Sequence, residues 1–70
     1  MRIKIQHEIK GRIRFSTQKE KMTAREADML LFYINSLKNV TSAKVYDRTG
    51  DGVVCYTGSR QELIRNLVAF

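Results

Sequence analysis

The sequence has few of the residues that mark disulfide-stabilised, metal-clustered or membrane-spanning proteins. Its 70 residues include one cysteine, four glycines, no proline and no tryptophan. A single cysteine excludes an internal disulfide, and it excludes a zinc or iron–sulfur site built only from cysteines of this chain. No apolar run approaches the roughly 20 residues that span a bilayer, and no signal peptide precedes the domain. We therefore expect a soluble domain in a reducing, cytoplasmic compartment.

The composition that is present indicates one small globular domain, residues 1–70. A hydrophobic fraction of 43% is ordinary for a folded domain and too high for a disordered tail. The formal net charge is +6. This charge permits a nucleic acid, an anionic membrane surface or an acidic protein as partner, and it selects none of them.

Residues 2–9 alternate with a period of two, which predicts a half-buried strand. Lys10-Gly11 interrupts the alternation, since glycine tolerates the backbone conformations of turns and bulges. Alternation resumes over residues 12–16, so this stretch is one kinked strand or a hairpin, and we favour the hairpin. The expected inward side chains are Ile3, Ile5, Ile9, Ile13 and Phe15, with Arg2, Lys4, Gln6, Glu8, Arg12, Arg14 and Ser16 on the opposite face.

Two capping boxes predict the helices. Residues 17–22 are polar and indicate a loop, and Thr23 to Glu26 then forms a capping box before a helix over residues 24–38. Residues 40–47 and 53–57 indicate a second hairpin around a turn rich in glycine and aspartate. Ser59 to Glu62 opens a second helix that continues to Phe70 without a stop signal, which is typical of a fragment of a larger chain or of a helix that frays at a natural C-terminus.

The element order ββαββα, or βαββα if the first strand is continuous, predicts an α+β fold. We expect a ferredoxin-like α/β sandwich, an antiparallel sheet with two helices on one face. That fold usually ends in a fourth strand, for which this chain has no room. We therefore expect residues 2–8 to pair with residues 12–17 and to occupy the edge that the last strand usually fills.

The sequence offers little for catalysis or for a cofactor. No nucleophile–base set and no phosphate-binding glycine loop is present, so we expect no enzymatic activity from this chain alone. His7 and Cys55 are the candidate metal ligands, with no other cofactor expected. Each also has a purely structural interpretation: His7 as a partly buried histidine on the side of Ile3 and Ile5, and Cys55 as a small apolar residue. The register of the second hairpin leaves open whether Cys55 or Tyr56 points inward.

Arginine and lysine side chains on the first two strands form the most distinctive cluster. Arg12 and Arg14 lie two residues apart on one strand, about 6–7 Å from each other. Such a stripe suits phosphate, carboxylate or an acidic partner, although a polar sheet face also serves solubility. Tyr46 and Tyr56 add only a weak indication of nucleic-acid stacking. The predicted interaction surface consists of Arg2, Lys4, Arg12 and Arg14.

Several motifs resemble the heavy-metal-associated domain family, in the variant found at the N-terminus of bacterial heavy-metal-translocating P-type ATPases. They are His7, Gly11-Arg-Ile-Arg14, the junction over residues 37–42, the Thr49-Gly50 turn and the helix start over residues 59–63, and they cover nearly the whole chain. The resemblance implies a ferredoxin-like sandwich on the cytoplasmic side, tethered to a membrane protein.

The resemblance fails at the metal-binding loop. The best-known members carry a GMxCxxC loop after the first strand, whose two thiolates bind copper(I) or help to bind zinc or cadmium. The corresponding stretch here, residues 15–23, has no cysteine. The resemblance therefore implies an accessory or regulatory domain that contacts the rest of a transporter, an acidic protein or the membrane surface. The alternatives are a metal-binding module using His7 and Cys55, with ligands shared across a homodimer, and a small basic nucleic-acid-binding domain.

Overall fold

The computed structural model describes residues 1–18 and 21–70. Of the predicted loop over residues 17–22, positions 19 and 20 therefore lie outside the described residues. The described chain forms four strands and two helices in the order ββαββα. The elements are β1 (Lys4–Ile9), β2 (Arg12–Ser16), α1 (Ala24–Asn35), β3 (Val40–Tyr46), β4 (Asp51–Tyr56) and α2 (Arg60–Ala69).

The strands form one antiparallel sheet in the order β1-β2-β4-β3. The predicted N-terminal hairpin is confirmed, because β1 pairs with β2 around a turn in which Gly11 has φ +84°. β1 therefore occupies one edge of the sheet, and α1 carries the chain from β2 across β4 to the other edge. The α+β sandwich with both helices on one face is confirmed.

The core lies between the helices and one face of the sheet. Ile13 and Phe15 on β2 and Val54 on β4 are fully buried, which fixes the inward register of both central strands. Val54 and Tyr56 therefore point into the core, and Cys55 points to the opposite face. The helices contribute Ala27, Leu30, Ile34, Leu63 and Leu67.

Helix α1 begins where the sequence predicts and ends earlier. The capping box forms at its start: the Glu26 N–H donates to the Thr23 hydroxyl at 3.1 Å, and the Thr23 N–H donates to the Glu26 carboxylate at 3.0 Å. The helix ends at Asn35 rather than at residue 38. The Ser36 hydroxyl donates to the Tyr33 carbonyl at 2.5 Å, and the Leu37 N–H donates to the Ile34 carbonyl, which tightens and closes the last turn.

Helix α2 packs its apolar side against the sheet. At its start, a side chain accepts a hydrogen bond from one of the amide groups that have no partner within the helix. The Ser59 hydroxyl accepts from the Glu62 N–H at 3.1 Å. Among residues 1–18 and 21–70, no helix is both long enough and apolar enough to cross a bilayer.

One feature of β1 departs from the alternation in the sequence. The pairing with β2 shifts register between Ile5 and His7, which places a β-bulge at Gln6. Ile5 lies opposite Phe15, on the helix side, whereas His7 lies opposite Arg14 and Ile9 opposite Arg12. The expectation that His7 and Ile9 share a face with Ile3 and Ile5 is therefore wrong, because a bulge exchanges the two faces of every residue beyond it.

Candidate functional site

The candidate site is the face of the sheet that the helices leave uncovered, called the open face below. The strand pairings arrange its side chains in rows that cross the sheet from β1 to β3. One row contains His7, Arg14, Val53 and Lys44, and a second contains Ile9, Arg12, Cys55 and Ser42. A third row contains Lys4, Ser16, Asp51 and Tyr46.

Arg14 is held in place by partners from three different strands. Its Nε donates to the Gln6 side chain of β1 at 3.3 Å. Its Nη2 lies 3.6 Å from the Asp51 carboxylate of β4. The guanidinium carbon lies 5.8 Å from the centre of the Tyr46 ring on β3, within the range of a cation–π contact. The side chain still exposes 49% of its surface, so Arg14 is oriented without being removed from solvent.

The other cations of the open face have no such partners. Within the described residues, Lys4, Arg12 and Lys44 form no side-chain hydrogen bond or ion pair. Asp51 is the one carboxylate that the strand register places on this face, and it is already paired with Arg14. The open face therefore carries an excess of positive charge.

The predicted interaction surface is placed only in part as expected. Lys4, Arg12 and Arg14 lie on the open face. Arg2 precedes β1 and lines a separate cavity of about 300 Å³ with Met22, Glu26 and Phe70, on the side of the helices. Lys44 also lies on the open face and was not among the predicted residues, although the alternation of Ala43 and Val45 implies that Lys44 points away from the core.

The two candidate metal ligands share the open face without coming together. His7 is on β1 and Cys55 on β4, with β2 between them and an offset of two residues along the strands. Strand geometry places their backbones about 12 Å apart. No group of three or more His, Cys, Asp or Glu side chains suited to a metal occurs among residues 1–18 and 21–70. A metal site at His7 and Cys55 stays a prediction.

An ion pair lies at the end of β1, where Glu8 is paired with the inward-facing Ile13. Glu8 lies on the helix side, where both of its carboxylate oxygens accept hydrogen bonds from the Arg60 guanidinium, at 2.5 and 2.8 Å. These hydrogen bonds lower the pKa of Glu8 below its ordinary value and raise the pKa of Arg60. The two charges satisfy each other, so Glu8 leaves the cations of the open face unneutralised.

Comparisons of this chain with family models, curated proteins and solved structures found no match. The resemblance to heavy-metal-associated domains therefore remains a prediction from the motifs alone.

Proposed function

We propose that this chain is a binding domain that docks an acidic protein surface on its open face. The observation that carries the proposal is the charge imbalance there, four cations against the single carboxylate Asp51. Arg14 is paired with Asp51, and the other three cations are unpaired within the part of the chain that the structure describes. Exposed cations attract an acidic partner over several ångströms and fix its orientation on contact. The cations are Lys4, Arg12, Arg14 and Lys44.

In the context that the motif resemblance implies, the partner is the body of a heavy-metal-transporting P-type ATPase. The domain would then be a cytoplasmic accessory module of the transporter, and it would act by contact rather than by delivering metal or by catalysis. The coding sequence beyond codon 70 tests this context. Several long apolar segments and a DKTGT phosphorylation motif would support it, and a stop codon would contradict it.

The docking proposal is tested on the chain itself with a polyglutamate probe, followed by the backbone amide signals of the ¹⁵N-labelled domain. We expect signals around Arg12, Lys44 and Cys55 to shift in a saturable way, and we expect the affinity to fall as salt rises because exposed charges are screened. The double variant R12E/K44E should lose most of the binding.

The matched control is R25E/R65E, which changes the net charge by the same amount on the exposed surfaces of the two helices. This control should retain binding close to that of the unchanged chain. If both variants lost the same affinity for polyglutamate, the binding would depend on net charge alone, and this result would contradict a docking face. Shifts confined to the helices would do the same.

A further inference from the structure

A shallow depression of about 340 Å³ lies within the open face. Its rim is cationic or polar, and its remaining surface is apolar. Val53 on β4 is 9% exposed, whereas Ile9 on the edge strand β1 is 56% exposed. The lining residues are His7, Ile9, Arg12, Arg14 and Val53.

The exposed apolar side chain of this depression is Ile9, which pairs with Arg12 beside the turn and shares its face. With unbroken alternation Ile9 would face the helices, but the register shift turns it to solvent beside Arg12. A large aliphatic side chain on an otherwise basic face adds nothing to the attraction of an anion. It offers a contact that strengthens only when an apolar group of the partner covers it.

Resting on the proposed function, we infer that the docked partner presents an extended acidic segment with an aliphatic side chain between its carboxylates. Arg12 on β2 and Lys44 on β3 lie two strand spacings apart and are offset by two residues along the strands, which separates their backbones by about 12 Å. In an extended segment, residues at alternate positions share one face, and two acids four positions apart span about 14 Å, a separation that the long side chains of Arg12 and Lys44 match. The aliphatic side chain between them would then lie over Val53 and against Ile9.

The shape of the face favours this occupant over a lipid surface or a nucleic acid. A bilayer is bound by apolar side chains that protrude together, but Val53 is recessed and Ile9 stands alone among cations. Single-stranded nucleic acids are bound by stacking on aromatic rings. Tyr46 on the edge strand β3 is the aromatic ring that the strand register places on the open face, and the Arg14 guanidinium already lies over it, while Phe15 and Tyr56 point into the core.

The test compares two peptides on the intact chain by fluorescence anisotropy. One is Gly-Glu-Ser-Leu-Ser-Glu-Gly, and the other has serine in place of leucine. We expect the leucine peptide to bind about fivefold more tightly, as partial burial of one aliphatic side chain would produce. The variant Ile9→Ser should remove this preference while keeping the affinity for the serine peptide.

The matched control is Val68→Ser, since Val68 is also about half exposed, at 50%, but lies on α2. It should keep the full preference. Retention of the leucine preference in Ile9→Ser would overturn the inference, and Val53→Ala provides a second variant that should also weaken the preference. Equal affinity of the unchanged chain for both peptides would overturn it as well.

The outcomes separate this inference from the proposed function. If R12E/K44E abolishes binding but neither peptide is preferred, acidic docking holds and the aliphatic contact is wrong. If R12E/K44E binds both peptides as well as the unchanged chain does, both proposals are wrong. Displacement of the peptide by phosphatidylserine vesicles or by oligouridylate at a lower concentration than unlabelled peptide would assign the face to a membrane or to RNA and would also overturn the inference.

Discussion

Gly52 illustrates how a single residue constrains this sheet. It lies opposite Phe15, and a Cβ atom added at Gly52 would lie 2.6 Å from the Cζ atom of the Phe15 ring. Phe15 is fully buried, so its ring has little space into which it could move. Glycine is therefore required here by the packing of a neighbour.

We expect Gly52→Ala to lower the free energy of unfolding by about 1–3 kcal/mol, because overpacking displaces the Phe15 ring. Urea denaturation measures the change. Ser42→Ala, on the exposed surface of β3, is the control and should change stability by less than about 0.5 kcal/mol. A neutral Gly52→Ala variant would show that the ring has more freedom than the packing indicates.

The Glu8–Arg60 ion pair makes the stability of the fold depend on pH. Because Arg60 lowers the pKa of Glu8 in the folded chain, the pair stabilises the fold above the unfolded pKa of Glu8. This contribution is lost as the pH falls through the lower folded pKa. A double-mutant cycle with E8Q, R60Q and the double variant should therefore show coupling at neutral pH that disappears as the pH falls below the ordinary pKa range of a glutamate carboxyl.

Thermal unfolding at a series of pH values measures this coupling. The double variant serves as the control, because its stability should not follow the titration of position 8. Coupling that persists unchanged at low pH would mean that the two side chains interact through packing rather than through charge.

At the scale of elements, the start of α1 depends on local chemistry. The reciprocal bonds between Thr23 and Glu26 satisfy two amide groups that the helix itself leaves unpaired. We expect Thr23→Ala to cost about 1 kcal/mol, measured by urea denaturation. Thr41→Ala on β3 is the matched control, since Thr41 is exposed and forms no side-chain hydrogen bond within the described residues. A loss no larger than that of the control would contradict the capping role.

The same locality explains which elements the sequence predicts well. Caps and turns depend on a few neighbouring residues, so the start of α1 and both hairpins follow from the pattern around Thr23, Gly11 and Gly50. No local residue pattern marks the bulge at Gln6, because the apolar alternation of Ile3, Ile5 and Ile9 continues past it in the sequence. It is accompanied by contacts distant in sequence, including Glu8 with Arg60 and Gln6 with Arg14.

The sequence predicts the positions of the candidate-site residues only where local alternation decides them. Alternation alone places Arg12 and Arg14 on a face away from the core, and the structure agrees. The positions of His7 and Ile9 depend on the bulge, and the inward direction of Val54 and Tyr56 depends on the register of the second hairpin. These pairings are fixed by the packed sheet as a whole.

At the scale of the whole molecule, stability should be greatest at the centre of the sheet. β2 and β4 are paired on both sides and contain fully buried residues, whereas β1 and β3 form the edges. We expect native-state hydrogen exchange to be slowest at Val54 and Ile13 and faster along β1. Uniform protection across all strands would indicate that the domain opens only by global unfolding.

The bulge gives β1 an unusual tolerance for a change in its length. Deleting Gln6 would leave His7 opposite Arg14, because the register shift already makes Gln6 the extra residue of the strand. Ile9 would likewise stay opposite Arg12, and the lost contact would be the hydrogen bond between Gln6 and Arg14. Among chains that share this fold, a one-residue difference in length before the Gly-Arg-Ile-Arg segment would therefore be compatible with the same open face.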